Sequence, residues 1–563
     1  MDWSRYSIPA MRLKARFGDR VVPAFCERPE SIWAMVADAA SRNPDGEALV
    51  CGDRRLTWRE VAQQSAQIAA GFRKMGLQSG DRVALLLGNR IEFVLAMFAA
   101  AHAGLVTVLL STRQQKPEIA YVLTDCGAKI LIHEATLADR LPDARDVPDL
   151  MHRISVDDGS ASQFSDLADN EPSPQPAAVG EEDTAMILYT SGTTGRPKGA
   201  MLAHCNVIHS SMIFASCLQL TAADRSIAAV PLGHVTGVVA NIMTMVRCTG
   251  ALIIMTEFKA AEYLKVAARE RVTYTVMVPA MYNLCLLQPD FDSYDLSSWR
   301  IGGFGGAPMP IATIEKLNAK IPGLKLMNCY GSTETTSPST IMPGELTASR
   351  IDSVGLPCPG AHIIVVDADG HEFFPGLFRA AGARSARSEP ALFGAREWHR
   401  RPLAQARQRR RGGHRAVAEW RTELGRRRAG DRRQGISGSD RGRCRDRRAH
   451  PCGLPQRGFL HQRRRGGLKI YSAEVESVLA GHPGVVESAI IAKPCPVLGE
   501  RVHAVIVTRD GVSGDALRAW CAERLSDYKV PETIDLTSEP LPRNANGKVM
   551  KKQLREAWAA AQS

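Results

Sequence analysis

The ten residues from Thr190 to Gly199, TSGTTGRPKG, combine three glycines, four hydroxyl side chains and one lysine directly after a short apolar run. Glycines let backbone N–H groups close around phosphate oxygens, hydroxyls add hydrogen bonds, and a lysine adds a positive charge. The segment therefore predicts a loop that binds a polyanion such as a nucleoside triphosphate. It is not a Walker A loop, because Lys198 is followed by glycine instead of Ser or Thr. A flexible surface turn is the alternative, but few structural roles need this mixture.

A second polar cluster, Tyr330-Gly-Ser-Thr-Glu334, follows an apolar run at residues 324–329. The tyrosine ring can stack on a base, Gly331 permits close approach, and Thr333 can reach an α-phosphate. Glu334 is a hard oxygen ligand of the kind that Mg²⁺ prefers. A merely solvated carboxylate is the alternative for Glu334. Beside the phosphate loop, the cluster predicts a site for a magnesium nucleotide.

Both clusters directly follow short apolar runs that are typical of buried strands. Runs at residues 185–189, 251–255, 272–278 and 324–329 alternate with helical segments, which predicts an α/β fold with largely parallel sheets. In such folds ligands bind at the carboxyl ends of strands. The long apolar run at residues 93–110 is interpreted as a helix over 91–103, a glycine stop and a strand over 105–110, not as a membrane span.

The end of the chain predicts a smaller α+β domain. Strands are expected at residues 486–492 and 502–507 and a helix at 515–525, while GGLKIYSAEVESVL, from Gly466, shows helical apolar spacing. A turn-rich loop, LPRNANGK, places Lys548 just before the helical pattern KKQLREAW. A lysine near a terminus is usually a solvated surface group, which is the alternative here.

The segment YTSGTTGRPKGAMLAH closely resembles the signature loop of the adenylate-forming superfamily of acyl-CoA synthetases, luciferases and peptide-synthetase adenylation domains. Gly305-Gly-Ala-Pro308 resembles the adenine-side loop of that family, and Asn328 its polar residue beside the base. The residues that the resemblance assigns to ATP or AMP are Thr190, Ser191, Gly192, Thr193, Thr194, Gly195, Lys198, Gly306, Ala307, Pro308, Asn328, Tyr330, Gly331 and Thr333.

The same resemblance implies a catalytic set of Lys548, Thr194, Glu334 and His234, with Glu334 as the metal ligand. Lys548 would swing into the site during adenylation and stabilise charge that grows in the transition state. His234, in PLGHVTG, would border the acyl pocket. The positions assigned to substrate or coenzyme A are His234, Thr236, Gly305, Gly331, Gly466 and Gly467.

One part of the chain departs from the family. Residues 379–465 hold 26 Arg, no Lys and 7 acidic residues, although the chain has 16 Lys elsewhere, and few apolar residues that could form a core. A basic disordered insert is one interpretation. The favoured one is a stretch read out of frame, since shifted GC-rich codons yield Arg, Ala, Gly and Pro. The family's ribose-binding Asp and its hinge residues should lie there and cannot be placed.

Composition excludes several classes of function. Outside residues 379–465 there are 45 basic and 52 acidic residues, so the net charge of +12 does not indicate nucleic-acid binding. Thirteen scattered cysteines without a C-x-x-C pair favour reduced thiols over disulfides or structural zinc. The N-terminus lacks the apolar core of a signal peptide. A cytoplasmic protein is expected, without a transmembrane segment, with peripheral membrane contact left open and no marker of an oligomeric interface.

The expected architecture has three parts: an AMP-binding N-terminal domain at 1–377, with a small β-barrel portion that is disrupted; the Arg-rich segment at 378–465; and a C-terminal domain at 466–563. The expected function is an ATP-dependent acyl-CoA synthetase that uses ATP, Mg²⁺ and coenzyme A. A medium- or long-chain fatty acid is the first substrate candidate. The alternatives are an aryl-CoA or other carboxylate-CoA ligase, an adenylation module serving a carrier protein, and an inactive pseudoenzyme.

Overall fold

The computed structural model describes residues 3–18, 20–156, 163–173, 175–190, 197–351, 353–364, 462–465, 468–495, 497–508, 512–543 and 549–560. Nearly all of them belong to one compact unit, Met1–Ala361 with Phe459–Ser563. Among the described helices, none combines the length and hydrophobicity needed to cross a bilayer.

The strands, in chain order, are β1 Met11–Arg16, β2 Arg20–Phe25, β3 Glu47–Cys51, β4 Arg54–Thr57, β5 Arg82–Leu86, β6 Val106–Leu109, β7 Ile130–Glu134, β8 His152–Val156, β9 Thr184–Thr190, β10 Lys198–Ala203, β11 Arg225–Ala228, β12 Ala251–Ile254, β13 Tyr274–Met277, β14 Ile301–Phe304, β15 Lys325–Tyr330, β16 Thr340–Ile341, β17 Leu356–Pro357, β18 Gln462–Arg465, β19 Leu468–Tyr471, β20 Val485–Cys495, β21 Gly499–Thr508 and β22 Thr533–Thr537.

The α-helices are α1 Ile32–Arg42, α2 Trp58–Lys74, α3 Ile91–Ala103, α4 Lys116–Cys126, α5 Gln163–Ala168, α6 His204–Cys217, α7 Thr244–Cys248, α8 Ala260–Arg269, α9 Pro279–Leu286, α10 Ile311–Lys320, α11 Ser472–Ala480, α12 Gly514–Ala522 and α13 Lys551–Ala560. A π-helix, Thr236–Met243, precedes α7.

Two large sheets, beside the two-stranded pair β1-β2, form the described N-terminal part. One has the order β10-β9-β6-β5-β7-β8 and the other β17-β16-β15-β14-β13-β11-β12-β3-β4. Their inner strands pair in parallel, for example β5 with β6 and β13 with β14. These short strands are rich in Val, Ile and Leu and largely buried, which is typical of parallel sheets covered by helices on both faces. The predicted α/β class with parallel sheets is confirmed.

The apolar run at residues 93–110 folds as predicted into a helix, a stop and a strand. Every residue of α3 is buried, and the helix ends at Gly104, whose φ of 75° is a left-handed conformation that glycine adopts without strain. The chain then enters β6 after one further residue. The predicted strands in the N-terminal part also match β9, β12, β13 and β15 within about two residues at each end.

The C-terminal part is a smaller α+β arrangement. Strands β19, β18, β21 and β20 lie side by side, and β22 pairs with β21. The predicted strands at 486–492 and 502–507 are confirmed as the longer β20 and β21. The helical interpretation of GGLKIYSAEVESVL is wrong in its first half, because Leu468–Tyr471 pairs with β18 as a strand and only Ser472–Ala480 is helical. The disrupted β-barrel portion was predicted around the Arg-rich segment, and residues 365–461 lie outside the described residues.

Candidate active site

The two sequence clusters meet where strands β9 and β15 end. Thr190 is the last residue of β9, and Glu334 lies four residues beyond the end of β15. The Thr190 hydroxyl donates a hydrogen bond to Oε1 of Glu334 across 3.2 Å. Since β9 and β15 belong to different sheets, this contact joins the first residue of the phosphate loop to the predicted metal ligand. Ser191, Gly192, Thr193, Thr194 and Gly195 lie outside the described residues.

The two ends of the phosphate loop are held by strand pairing. Strand β10 runs antiparallel to β9, and Lys198 stands opposite Thr190. The Thr190 hydroxyl also lies 3.5 Å from the Lys198 carbonyl oxygen. A Cβ on Gly199 would lie 2.7 Å from the Ile187 side chain, so glycine is required for the close pairing here. The Lys198 side chain is exposed, as a group that meets a ligand must be.

The segment after β15 folds back on itself. Tyr330 is 50% exposed, and its carbonyl oxygen accepts a hydrogen bond from the Ser339 backbone at 2.8 Å. The Thr333 carbonyl accepts from the Thr336 backbone at 2.9 Å. A Cβ on Gly331 would lie 2.9 Å from the Ser337 hydroxyl oxygen, so the chain's own turn accounts for this glycine. The turn keeps Tyr330 accessible beside the exposed Glu334.

The predicted adenine-side segment lies beside Asn328. Residue Phe304 pairs with Asn328 in the register of β14 and β15, and Gly305-Gly-Ala-Pro308 leaves the sheet immediately afterwards. A Cβ on Gly305 would lie 2.5 Å from the Cys329 carbonyl oxygen, and Gly306 has a φ of 78°. Gly306 and Pro308 are exposed, Ala307 is partly exposed, and Asn328 is partly buried. The structure therefore brings the base-side residues together at one strand end.

His234 lies on the loop that leads into the π-helix Thr236–Met243. A side chain on Gly237 would overlap the Pro231 carbonyl oxygen, so this glycine permits the tight bend that presents the histidine. The His234 ring is accessible to solvent, yet burial, followed by the charge of Arg113, lowers its pKa. The direction of this shift favours the neutral imidazole.

Asn89 is a positioning residue that the sequence analysis missed. Its side-chain amide donates to the carbonyl oxygens of Val230 and Met255, both at 2.9 Å, and its oxygen accepts from the Leu232 backbone at 2.8 Å. It thereby ties the end of β5 to the His234 loop and to the end of β12. The signal in the sequence was a lone amide after the buried run VALLLG.

Three predicted residues of the C-terminal part, Lys548, Gly466 and Gly467, lie outside the described residues. The chain on either side of the Lys548 loop is fixed by an antiparallel bridge between Arg543 and Val549. Helix α13 then begins at Lys551, in agreement with the helical pattern predicted after Lys548.

The donor set near Glu334 fits Mg²⁺. Glu334 offers an exposed carboxylate and Thr190 a hydroxyl oxygen close by. Within the described residues there is no group of three or more His, Cys, Asp and Glu side chains that could hold a metal by themselves. Mg²⁺ in nucleotide sites is usually held by one or two carboxylates together with substrate phosphates. Bound with ATP, the ion would offset phosphate charge.

The fold is an α/β arrangement of two sheets in which the two predicted nucleotide motifs meet where β9 and β15 end. Residues 36–378 match the AMP-binding enzyme family, and residues 474–548 match the AMP-binding enzyme C-terminal domain. The chain belongs to the AMP-binding, adenylate-forming enzymes, as its motifs predicted. Its relatives are CoA ligases, and it is an AMP-forming acid-thiol ligase of the acyl-CoA or aryl-CoA type.

Two of the relatives are named for different kinds of acid. A feruloyl-CoA synthase of an Amycolatopsis species is 31% identical over 544 residues, covering 94% of this chain and 100% of the relative. A long-chain-fatty-acid–CoA ligase of Mycobacterium tuberculosis is 29% identical and covers 94% of this chain and 99% of the relative.

One solved protein is matched in two liganded forms, the o-succinylbenzoate CoA synthetase of Bacillus subtilis, 25% identical to this chain in both. A double mutant bound to the product analogue OSB-NCoA gives a TM-score of 0.70, covering 94% of this chain and 98% of that protein. The complex with the acyl-adenylate intermediate OSB-AMP gives 0.55, covering 93% and 98%.

Proposed function

We propose that this enzyme activates a medium- or long-chain fatty acid with MgATP and transfers the acyl group to coenzyme A in the cytoplasm. The observation that carries the proposal is the hydrogen bond between Thr190 and Glu334. It places a phosphate-loop hydroxyl and a carboxylate suited to Mg²⁺ at one point, beside the segment that carries Tyr330. Such an arrangement serves a triphosphate whose α-phosphate is attacked by a carboxylate.

In the first step the substrate carboxylate attacks the α-phosphorus of ATP, the bond to the bridging oxygen breaks, and pyrophosphate leaves. The protein contributes by holding the two anions in contact and offsetting their charge. Thr190 and Lys198 stand at the two ends of the loop that would bind the phosphates, and Glu334 would hold Mg²⁺, which would offset phosphate charge. Lys548 supplies positive charge where it develops.

In the second step the thiol of coenzyme A attacks the acyl-adenylate, the thioester forms and AMP leaves. We infer that the described arrangement of the N-terminal and C-terminal parts belongs to this step. The two forms of the Bacillus protein differ in their match to this chain, with TM-scores of 0.70 for the product analogue and 0.55 for the adenylate at nearly equal coverage. The higher similarity to the product-analogue complex supports the inference.

A substituted aromatic acid is the second candidate substrate. The relative that is 31% identical across its full length is a feruloyl-CoA synthase, and this favours an aromatic acid as strongly as the fatty-acid ligase favours an alkyl chain. The helix after His234 does not decide between them, because Val238, Val239, Ile242 and Met243 are buried members of the main core. Core packing therefore suffices to explain the apolar residues of this stretch.

We also propose that residues 378–465 are read out of frame between an N-terminal domain at 1–377 and a C-terminal domain at 466–563. The match to the AMP-binding enzymes ends at residue 378, and the match to the C-terminal domain begins at 474. This agreement with the compositional boundary supports the proposal. The missing ribose ligand would weaken nucleotide binding in the chain as it stands.

The test is carboxylate-dependent pyrophosphate release by the purified chain with MgATP. A panel of fatty and aromatic acids should be assayed with and without coenzyme A, beside a version with the central frame restored. Thioester formation from free coenzyme A supports the ligase over a carrier-protein module. Activity only in the restored version would identify this chain as an inactive copy, and no activity in either would reject the proposed function.

A further inference from the structure

A buried polar contact joins the C-terminal part to helix α4. The ammonium group of Lys529 lies 2.8 Å from Oε1 of Glu118 and 2.7 Å from Oε1 of Glu474. The exposed fractions of these side chains are 6%, 9% and 7%, in the same order. The Ser526 hydroxyl donates to Oε2 of Glu118 at 3.1 Å. These four residues are called the docking contact.

The docking contact holds the C-terminal part in one position relative to α4. Glu474 and Lys529 both belong to the C-terminal part, so their ion pair persists when that part moves. Glu118 belongs to α4, so Lys529 contacts it only in this arrangement. Burial alone would lower the pKa of Lys529, but Tyr528, Glu118 and Glu474 raise it overall, so the ammonium stays charged. A second, exposed pair, Arg113 with Asp527 at 3.6 Å, lies nearby.

The same helix holds both ends of the phosphate loop. The Tyr121 hydroxyl donates to the Pro197 carbonyl oxygen at 2.9 Å, directly before Lys198. Asp125 accepts a hydrogen bond from the Tyr189 hydroxyl at 2.6 Å, directly before Thr190. The rings of Tyr121 and Tyr189 also meet edge to face, with centroids 6.4 Å apart. One helix therefore contacts the chain on both sides of the loop.

Helix geometry places these contacts in line. Glu118, Tyr121 and Asp125 are spaced i, i+3 and i+7, which puts them on one face, with about 10 Å of helix rise between the first and the last. Glu118 also accepts from the Gln115 backbone at 2.9 Å, which completes the capping box at the helix start. Any movement of Glu118 therefore moves the N-terminal end of α4. Because the helix is short and rigid, this movement also displaces Tyr121 and Asp125.

We propose that α4 couples docking of the C-terminal part to the position of the two ends of the phosphate loop, at Tyr189 and Pro197. Glu118, Tyr121 and Asp125 are then positioning residues for thiol transfer. Docking on Glu118 fixes the helix, and Tyr121 and Asp125 then fix Pro197 and Tyr189. When the C-terminal part leaves for the adenylation step, α4 loses this anchor and the loop ends gain freedom to accept ATP. The assignment to thiol transfer rests on the proposed function, whereas the coupling itself does not.

The first test needs no catalysis. Amide hydrogen exchange is measured on the full chain in peptides that contain Tyr189, Thr190 and Lys198. Glu118→Gln keeps the capping group but removes the charge, and Ser526→Ala removes one hydrogen bond from the other side of the contact. Both should speed exchange in these peptides about fivefold, as for a coupling of about 1 kcal/mol. Tyr121→Phe removes the hydrogen bond to the Pro197 carbonyl oxygen and should speed exchange in these peptides to a similar extent.

The matched control is Asp143→Asn, which removes a half-exposed ion pair to Lys116, the first residue of the same helix, without touching the C-terminal part. Its exchange should equal that of the unmodified chain. Unchanged exchange in Glu118→Gln and Ser526→Ala would overturn the coupling. Equal acceleration in Asp143→Asn would also overturn it, because any disturbance of α4 would then suffice.

The second readout separates the two half-reactions. In single turnovers, Glu118→Gln should slow transfer from acyl-adenylate to coenzyme A about tenfold and leave carboxylate-dependent pyrophosphate release within about twofold. A merely structural role would lower both alike, and that result would overturn the assignment to thiol transfer. If the unmodified chain and its frame-restored version catalyse neither step, the proposed function fails, while the exchange experiment still decides the coupling.

Discussion

Two carboxylates in this enzyme, Glu334 and Glu118, are held in opposite ways. Glu334 is exposed just beyond the end of β15, in the candidate site, and accepts a hydrogen bond from the Thr190 hydroxyl at 3.2 Å. Glu118 has a side chain that is 9% exposed and accepts from an ammonium, a hydroxyl and a backbone N–H. Exposure keeps a group accessible to a ligand, whereas burial with full pairing makes a group part of the fold. Substitutions should therefore affect activity at the first and stability or domain position at the second.

The largest effect on activity is expected for Glu334→Gln, at the exposed carboxylate. Pyrophosphate release should fall about 100-fold or more, because the carboxylate that would hold Mg²⁺ is replaced by a neutral amide. The free energy of unfolding should stay within about 0.5 kcal/mol, since no buried group is exposed. Stopped-flow pyrophosphate detection and urea unfolding measure the two effects.

Glu262→Gln is the matched control, because Glu262 is 49% exposed on α8 and pairs with Lys265 at the surface. It should leave both quantities unchanged. A loss of activity below about fivefold for Glu334→Gln would show that the carboxylate is a solvated surface group.

The largest effect on stability is expected for Lys529→Met. The substitution leaves Glu118 and Glu474 buried without their cation, so the C-terminal sheet should lose about 3 kcal/mol of opening free energy. Hydrogen exchange in peptides from β20 and β21 measures this opening. The control is Lys552→Met, where an 81% exposed lysine pairs weakly with Glu556. Equal effects of the two substitutions would mean that the docking contact contributes nothing to the stability of the C-terminal part.

These two regions also differ in how well the sequence predicts them. The position of the candidate site could be predicted because Thr190 and Asn328 lie in the last residues of β9 and β15 and Glu334 lies just beyond β15, so the rule of carboxyl ends brings them together. The contact of Glu118 with Lys529 could not, since 411 residues separate them and neither lies in a recognisable motif. Only the fold brings them together.

Local pattern also failed where strand pairing overrides it. The segment before α11 has apolar residues at helical spacing, yet Leu468–Tyr471 forms a strand because β18 offers an antiparallel partner. Asn89 was missed for a related reason. A lone amide after a strand is ambiguous in sequence, and its role follows only from the three backbone groups that surround it.

A buried histidine of the N-terminal part, His204, tests whether buried polar groups contribute to stability. It is 2% exposed, its Nδ1 accepts a hydrogen bond from the Ile32 backbone at 3.2 Å, and burial lowers its pKa to about 4. The unfolded chain binds a proton near pH 6.5, so the contribution of His204 to stability is complete above that pH and is lost as the pH falls. Between pH 7 and pH 5 the loss should be about 2 kcal/mol.

Urea unfolding of the unmodified chain and of His204→Gln at both pH values measures this loss. The glutamine oxygen can still accept from Ile32 but does not titrate, so the variant should be about 2 kcal/mol less sensitive to the pH change. His482→Gln, at a partly exposed histidine, serves as the comparison for replacing a histidine by glutamine. Identical pH dependence in His204→Gln and the unmodified chain would show that His204 does not contribute to it.

The smallest expected effect is at the hydroxyl that joins the two clusters of the site. Thr190→Val removes the hydrogen bond to Glu334 but keeps the shape and the strand preference of the side chain, so pyrophosphate release should fall about tenfold. Thr190→Ser keeps the hydroxyl and should stay within about threefold of the unmodified enzyme. Because Thr190 is partly exposed at the end of β9, neither change should alter unfolding. If valine and serine were equally active, Glu334 would be positioned without Thr190, and the phosphate loop and the metal-binding carboxylate would act as independent elements.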